Sequence, residues 1–275
     1  MSAGVIGFIG AGNMGSALIG GIVKARCAGP ENIIVYDVIR EKSLDLRNRY
    51  NVTIAESLSE VVIRAGTVVL AVKPQNMSEV LDEISTTLKN VYESGAYPLM
   101  ISIAAGISLG YLEERLPEGV PLIRVMPNTP ALVLKGASAL ARNAHVRDHQ
   151  MEWALKIFQS VGFACEVEEK LMDAVTGLSG SGPAYVLLFL EALTDAGVFT
   201  GLPRPLAREL VLHTVAGTVA LVQETNKHFA DLKDMVTSPG GTTIHGLRVL
   251  ECAGFRGNIF DAVMAAARRS KELGT

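Results

Sequence analysis

From the start of the chain to about residue 167, short β-rich apolar runs alternate with longer stretches whose apolar residues recur at helical spacing. The runs predict strands at Val5–Ile9, Ile33–Tyr36, Val68–Val72, Leu99–Ile103 and Leu122–Met126. The stretches between them predict helices beginning near Asn13, Glu41, Leu58, Met77 and Leu109. Such alternation builds a mostly parallel sheet with helices on both faces. Ala137–Leu140 and Ala164–Val167 read as added strands at the sheet's far edge. From Glu169 the pattern becomes wholly helical, with apolar-periodic segments at Pro183–Val198, Pro205–Gln223, Gly240–Ala253 and Phe260–Leu273. Pro183 and Pro205 sit near helix starts, where a missing N–H costs little. The expected organisation is two domains, 1–168 and 169–275.

The first predicted strand runs straight into Gly10-Ala11-Gly12-Asn13-Met14-Gly15, a G-x-G-x-x-G, and a helix follows. Those glycines permit a tight turn, the approach of backbone to a pyrophosphate, and close packing of helix on strand. Together with the strand pattern this predicts an α/β fold: a Rossmann-like, doubly wound, mostly parallel sheet that binds NADPH or NADH, followed by an all-helical C-terminal domain. Ile9 to Gly15 form the expected cofactor turn. Asp37 ends the second strand, where an acid accepts hydrogen bonds from the adenosine ribose and repels a 2′-phosphate. It is equally suited to cap the next helix. Arg40, Lys42 and Ser43 follow closely enough to bind a phosphate if Asp37 turns aside, so both cofactors stay open. Ala71-Val72-Lys73-Pro74 ends another strand at the ligand-binding edge; Lys73 reads either as a base or as a loop lysine. Asn128, within Met126-Pro127-Asn128-Thr129-Pro130, reads either as a neighbour of the nicotinamide or as part of a stiff, capped turn.

The stretch with the most chemical content is Ser238-Pro239-Gly240-Gly241-Thr242-Thr243, a polar turn followed at once by a helical run. Adjacent glycines let backbone approach a ligand, and the free N–H groups of a first helical turn make a seat for a carboxylate. The turn holds hydroxyls but no Cys, Lys or carboxylate. It is built to hold a small acid and to leave the hard chemistry to a cofactor, unless it is simply a capped helix start.

The whole pattern L-K-D-x-V-x-S-P-G-G-T-T-I-x-G-L-x-V-L-E closely resembles the signature of the pyrroline-5-carboxylate reductases, which catalyse the last step of proline synthesis. The resemblance extends through VIGFIGAGNMGSALIGG, LAVKPQ, SIAAGIS, RVMPNTPALV and DAVTGLSGSGPAYV. It implies reduction of L-1-pyrroline-5-carboxylate to L-proline by hydride transfer from NADPH or NADH. It further implies that Thr243 hydrogen-bonds the ring nitrogen, while Ser238 and the Gly240, Gly241 and Thr242 amides hold the carboxylate. The Ala71–Pro74 loop then lies along the cofactor and only binds it. Many members of that family carry a small polar residue where this chain has Asp37, and use NADPH. His245, two positions past Thr243, is expected to point elsewhere. Two other readings compete. A β-hydroxyacid dehydrogenase places a catalytic lysine on the long helix after a glycine-rich turn, yet after Gly177–Pro183 no lysine follows before Lys227. A nucleotide-sensing protein without catalysis would keep Gly10–Gly15 but would not need an intact Ser238–Thr243 turn.

Composition narrows the partners. An apolar fraction of 49% and mean hydropathy of +0.31, with aromatics at only 5%, describe an aliphatic, Ala-rich helical half that has more apolar surface than one small domain can bury. A homodimer through the C-terminal helices is expected, and the resemblance adds larger rings of dimers. No unbroken apolar run reaches the roughly 18 residues that span a bilayer; Tyr185–Leu190 stops at Glu191. The net charge of −3 and the lack of a basic stripe argue against nucleic acid. Cys27, Cys165 and Cys252, far apart and odd in number, fit reduced thiols in a cytosol, and no signal peptide is evident. His145 and His149 lack metal-ligand surroundings and read as solvated, so no metal is expected.

Overall fold

A computed structural model describes residues 4–92 and 97–274. Eight strands form one sheet: β1 (Ile6–Ile9), β2 (Ile33–Tyr36), β3 (Thr53–Ile54), β4 (Thr67–Leu70), β5 (Leu99–Ser102), β6 (Leu122–Met126), β7 (Gly136–Arg142) and β8 (Gly162–Glu166). Their spatial order is β3-β2-β1-β4-β5-β6-β7-β8, and every pairing is parallel except β6 with β7. The sheet is therefore mostly parallel, as the alternating pattern requires, with a reversed pair at one edge. The two-residue β3 is too short to leave a period-2 signal.

Because side chains alternate across a strand, each strand feeds two cores. Ile6, Phe8, Ile33 and Val35 face one way, onto α1 (Asn13–Lys24), α2 (Arg40–Tyr50) and later α6 (Asp148–Gln159). Ile9, Ile34, Val68 and Leu70 face the other, onto α3 (Leu58–Arg64), α4 (Met77–Val91) and α5 (Leu109–Arg115). Fully burying such a side chain is worth about 1.5–3 kcal/mol, so both faces are strongly committed. Two helix starts are sharpened by serine caps: Ser57 accepts from the Glu60 N–H and Ser108 from the Tyr111 N–H.

After β8 the chain is helical: α7 (Met172–Val175), α8 (Gly182–Phe199), α9 (Arg204–Thr225), α10 (Phe229–Met235), α11 (Thr242–Cys252) and α12 (Phe255–Leu273). Between α7 and α8 the glycine-rich stretch is no turn. Thr176–Gly180 is a single π-helical turn in which the Ser181 N–H reaches back to the Thr176 carbonyl. Pro183 explains part of it: lacking an N–H, it cannot bond the Ser179 carbonyl, and the Asn128 amide donates to that oxygen instead, at 3.0 Å.

The chain divides into two compact units, Met1–Ser181 with Ala265–Thr275, and Gly182–Met264. In the first, Arg124 of β6 is buried and pairs with Glu169, while Ser270 of α12 donates to Asp173. In the second, α8 and α9 meet through small residues; a Cβ at Gly197 would lie 3.0 Å from that of Ala207. Only Ala207 and Leu232 are buried apolar residues there, whereas Leu187, Leu188, Phe199 and Phe260 are all more than 60% exposed. Two helical stretches, Glu169–Phe199 and Arg204–Thr225, reach a mean hydropathy of 1.3 over 18 residues. Unbroken apolar runs understate this, because a helix of Leu, Val, Ala and Gly stays apolar on average across an isolated Glu191 or Asp195.

Candidate active site

One candidate site forms at the carboxyl ends of β1 and β4, where Ile9 pairs with Leu70 and successive crossovers leave in opposite directions. A doubly wound sheet opens its ligand crevice at such a point. Gly10 turns the chain there with φ +104°; a Cβ would meet the Ala71 carbonyl at 2.5 Å. Gly15 packs α1 against this turn, its own Cβ blocked by the Gly10 oxygen at 2.6 Å. Gly12 starts α1 and has open space where a Cβ would be, and no side chain caps the helix. Its first-turn N–H groups are thus available to an anion. A cavity of about 1270 Å³ opens over them.

Of the residues expected to hold a cofactor, Ala11, Gly12, Asn13, Met14, Ala71, Val72, Lys73 and Pro74 line this cavity. Ile9, Gly10 and Gly15 shape the turn from behind. Sequence reading missed Ser16, Ile103, Ala104, Ala105, Thr129 and Leu132, which also line the cavity. The SIAAGIS block was the available signal, since it continues directly from β5 at the same sheet edge.

Asp37, Arg40 and Asn128 stand differently. The Ala11 N–H donates to one Asp37 carboxylate oxygen at 2.7 Å and the Ile39 N–H to the other at 2.9 Å. Asp37 thus ties the glycine turn to the end of β2; the residue at the N-cap of α2 is Ile39. Arg40 forms a two-pronged pair with Glu56, at 2.9 and 3.1 Å. Ser43 faces inward, 1% exposed. The Glu56 N–H in turn donates to Glu60, and this bond, with Arg64 second, holds the Glu60 carboxyl below the usual carboxylate range. Asn128 uses both ends of its amide within the fold, donating to the Ser179 carbonyl and accepting from the Ala137 N–H at 2.8 Å.

A separate candidate site lies in the other unit. Pro239-Gly240 makes a turn closed by the Gly241 N–H on the Ser238 carbonyl at 3.0 Å, with Gly240 at φ +66°. Proline then a positive-φ glycine is the composition this turn demands. Gly241, not a threonine, is the N-cap of α11, and no side chain caps it. A Cβ on Gly241 would run into Ser238 Oγ. Thr176, Thr194, Thr218, Thr225 and Thr237 each bond the carbonyl four residues back. Neither Thr242 nor Thr243 does, so among the described residues both hydroxyls remain available beside the free helix amides.

Comparisons with known proteins identify the family to which both regions belong. The family description "pyrroline-5-carboxylate reductase dimerisation" matches residues 169–273, and "NADP oxidoreductase coenzyme F420-dependent" matches residues 5–106. A pyrroline-5-carboxylate reductase of Synechocystis sp. is 46% identical, with 98% of each chain covered. The chain belongs to the pyrroline-5-carboxylate reductase family. A crystal structure of the Plasmodium falciparum reductase with NADP bound matches all of both chains at 37% identity and a TM-score of 0.87. The structure of a Coxiella burnetii pyrroline-5-carboxylate reductase matches equally completely, at 34% identity and a TM-score of 0.92. For this family, the open glycine position and uncapped α1 amides fit a nicotinamide dinucleotide.

Proposed function

We propose that the protein reduces L-1-pyrroline-5-carboxylate to L-proline with NADH or NADPH as the source of hydride. The observation that carries this reading is an uncapped helix start with two unbonded threonine hydroxyls, in a chain that also holds an open dinucleotide turn. Ala11–Met14 hold the pyrophosphate of the cofactor, and Ala71–Pro74 lie along it. Ser238 and the Gly240, Gly241 and Thr242 amides take the substrate carboxylate, which the partial positive charge at the start of α11 favours. Thr243 Oγ1 hydrogen-bonds the ring nitrogen. A protonated imine already carries the proton its nitrogen needs, so this turn works without a strong acid. Holding the imine in attack geometry provides much of the rate, since orientation is worth up to roughly 7–11 kcal/mol in favourable systems.

The missing lysine after Pro183 disfavours alcohol oxidation. The helical residues 169–275 serve, in this reading, as the dimerisation and substrate domain, which the family match over 169–273 and the exposed apolar side chains there support. The free Cys27, Cys165 and Cys252 suit a reducing cytosol. Mixing the protein with imine and each reduced cofactor tests the assignment. Loss of nicotinamide absorbance with formation of proline is expected; no loss with either cofactor overturns it.

A further inference from the structure

Three groups near the end of β2 have the chemistry to receive a 2′-phosphate: Arg40, Lys42 and Ser43. Ser43 is buried and faces away. Lys42 lines the cavity beside Glu41, Asp45 and Arg49 of the same helix, so that stretch of wall is neutral overall and offers no net positive charge. Arg40 is held by both oxygens of Glu56, and Glu56 is itself anchored through its backbone to Glu60. Asp37, whose two oxygens are each fixed by a backbone N–H, keeps its charge at the ribose end of the turn.

We propose that Glu56 is a specificity-determining residue that makes the protein prefer NADH over NADPH by occupying Arg40. The proposal rests on the dinucleotide site of the proposed function. The Arg40–Glu56 pair is exposed, with the side chains 64% and 69% accessible, so its own strength is modest. The consequence for a phosphate does not depend on that strength. A 2′-phosphate binds either without Arg40, or by drawing Arg40 away and leaving the Glu56 carboxylate unpaired beside a dianion. Both routes penalise NADPH and neither touches NADH, whose 2′-hydroxyl needs only the Asp37 carboxylate. A guanidinium released from Glu56 would present the planar fork that matches a phosphate.

The test is direct titration of the whole protein with NADH and with NADPH, followed by nicotinamide fluorescence in the absence of imine. The native protein is expected to bind NADH about tenfold more tightly or better, and Glu56→Gln to raise NADPH affinity relative to NADH by about five- to tenfold. Adding Arg40→Gln to Glu56→Gln should abolish that gain. Native preference for NADPH, an unchanged ratio in Glu56→Gln, or a gain that survives loss of Arg40 each overturn the proposal. Binding without imine reduction would sink the assigned reaction and leave the cofactor preference standing. Binding of neither cofactor would sink both.

Discussion

At the scale of single residues, the two candidate sites present side chains whose bonding capacity is either fully used or conspicuously unused. Asp37 is the first kind. Its carboxylate links the Ala11 and Ile39 amides, so Asp37→Ser acts twice. It removes a negative charge near the ribose, raising the NADPH-to-NADH ratio of kcat/KM, and it deprives the glycine turn of an acceptor, lowering Tm. An unchanged ratio would show that the Asp37 charge does not act on the ribose. Thr243 is the second kind. As it lies inside α11 rather than at the cap, Thr243→Ala should leave Tm nearly unaltered. A lost hydrogen bond to a charged group costs about 1.5–3 kcal/mol, hence a roughly ten- to a hundredfold fall in kcat/KM, with Thr243→Ser retaining much of the activity. Early melting with normal turnover would reduce Thr243 to a structural residue, and a far larger loss in His245→Ala would make His245, not Thr243, the partner of the ring nitrogen.

At the scale of elements, the strands and helices that bury many apolar side chains were legible in the sequence. β2, β6 and the starts of α1, α3, α4 and α5 fall where the pattern placed them. Elements that rest on few such residues were not, namely the two-residue β3 and the short α10, while α6 went unread although it buries Met151, Ala154, Ile157 and Phe158 between the two edge strands. The π-helical turn was invisible for another reason. Gly177 to Gly182 has a loop's composition, and only the tertiary partner Asn128 shows how its broken ladder is satisfied. The same residue shows how local sequence can offer two roles, of which the structure displays the bonds of one. Its amide joins β7 to the π-turn, so Asn128→Ala strands the Ala137 N–H and the Ser179 carbonyl. Stranding partly buried groups of this kind costs about 1–3 kcal/mol, which thermal denaturation would register as a fall in Tm. An unaltered Tm would leave Asn128 its other role, as a neighbour of the nicotinamide.

At the scale of the whole molecule, the odd feature is a helical unit, Gly182–Met264, that buries two apolar residues and leaves many large ones in solvent. Exposed surface of this kind marks an interface. Two occupants have the right chemistry: a second copy of the chain, or lipid, since two stretches are apolar enough by composition. Membership of a family with a dimerisation domain matched over residues 169–273 favours the second copy. The reading makes a quantitative demand. In an isolated chain, Leu187 and Leu188 are 64% and 68% exposed, and glutamates there should change stability by no more than about 0.5 kcal/mol. In a subunit interface the same two charges would be desolvated without partners. Light scattering at micromolar concentration should therefore report at least a dimer for the native protein and a smaller, less stable species for the Leu187→Glu, Leu188→Glu double variant. An active native monomer, or a double variant that assembles and melts like the native protein, would remove these helices from the interface, and recovery of the native protein in vesicle pellets would assign them to lipid instead.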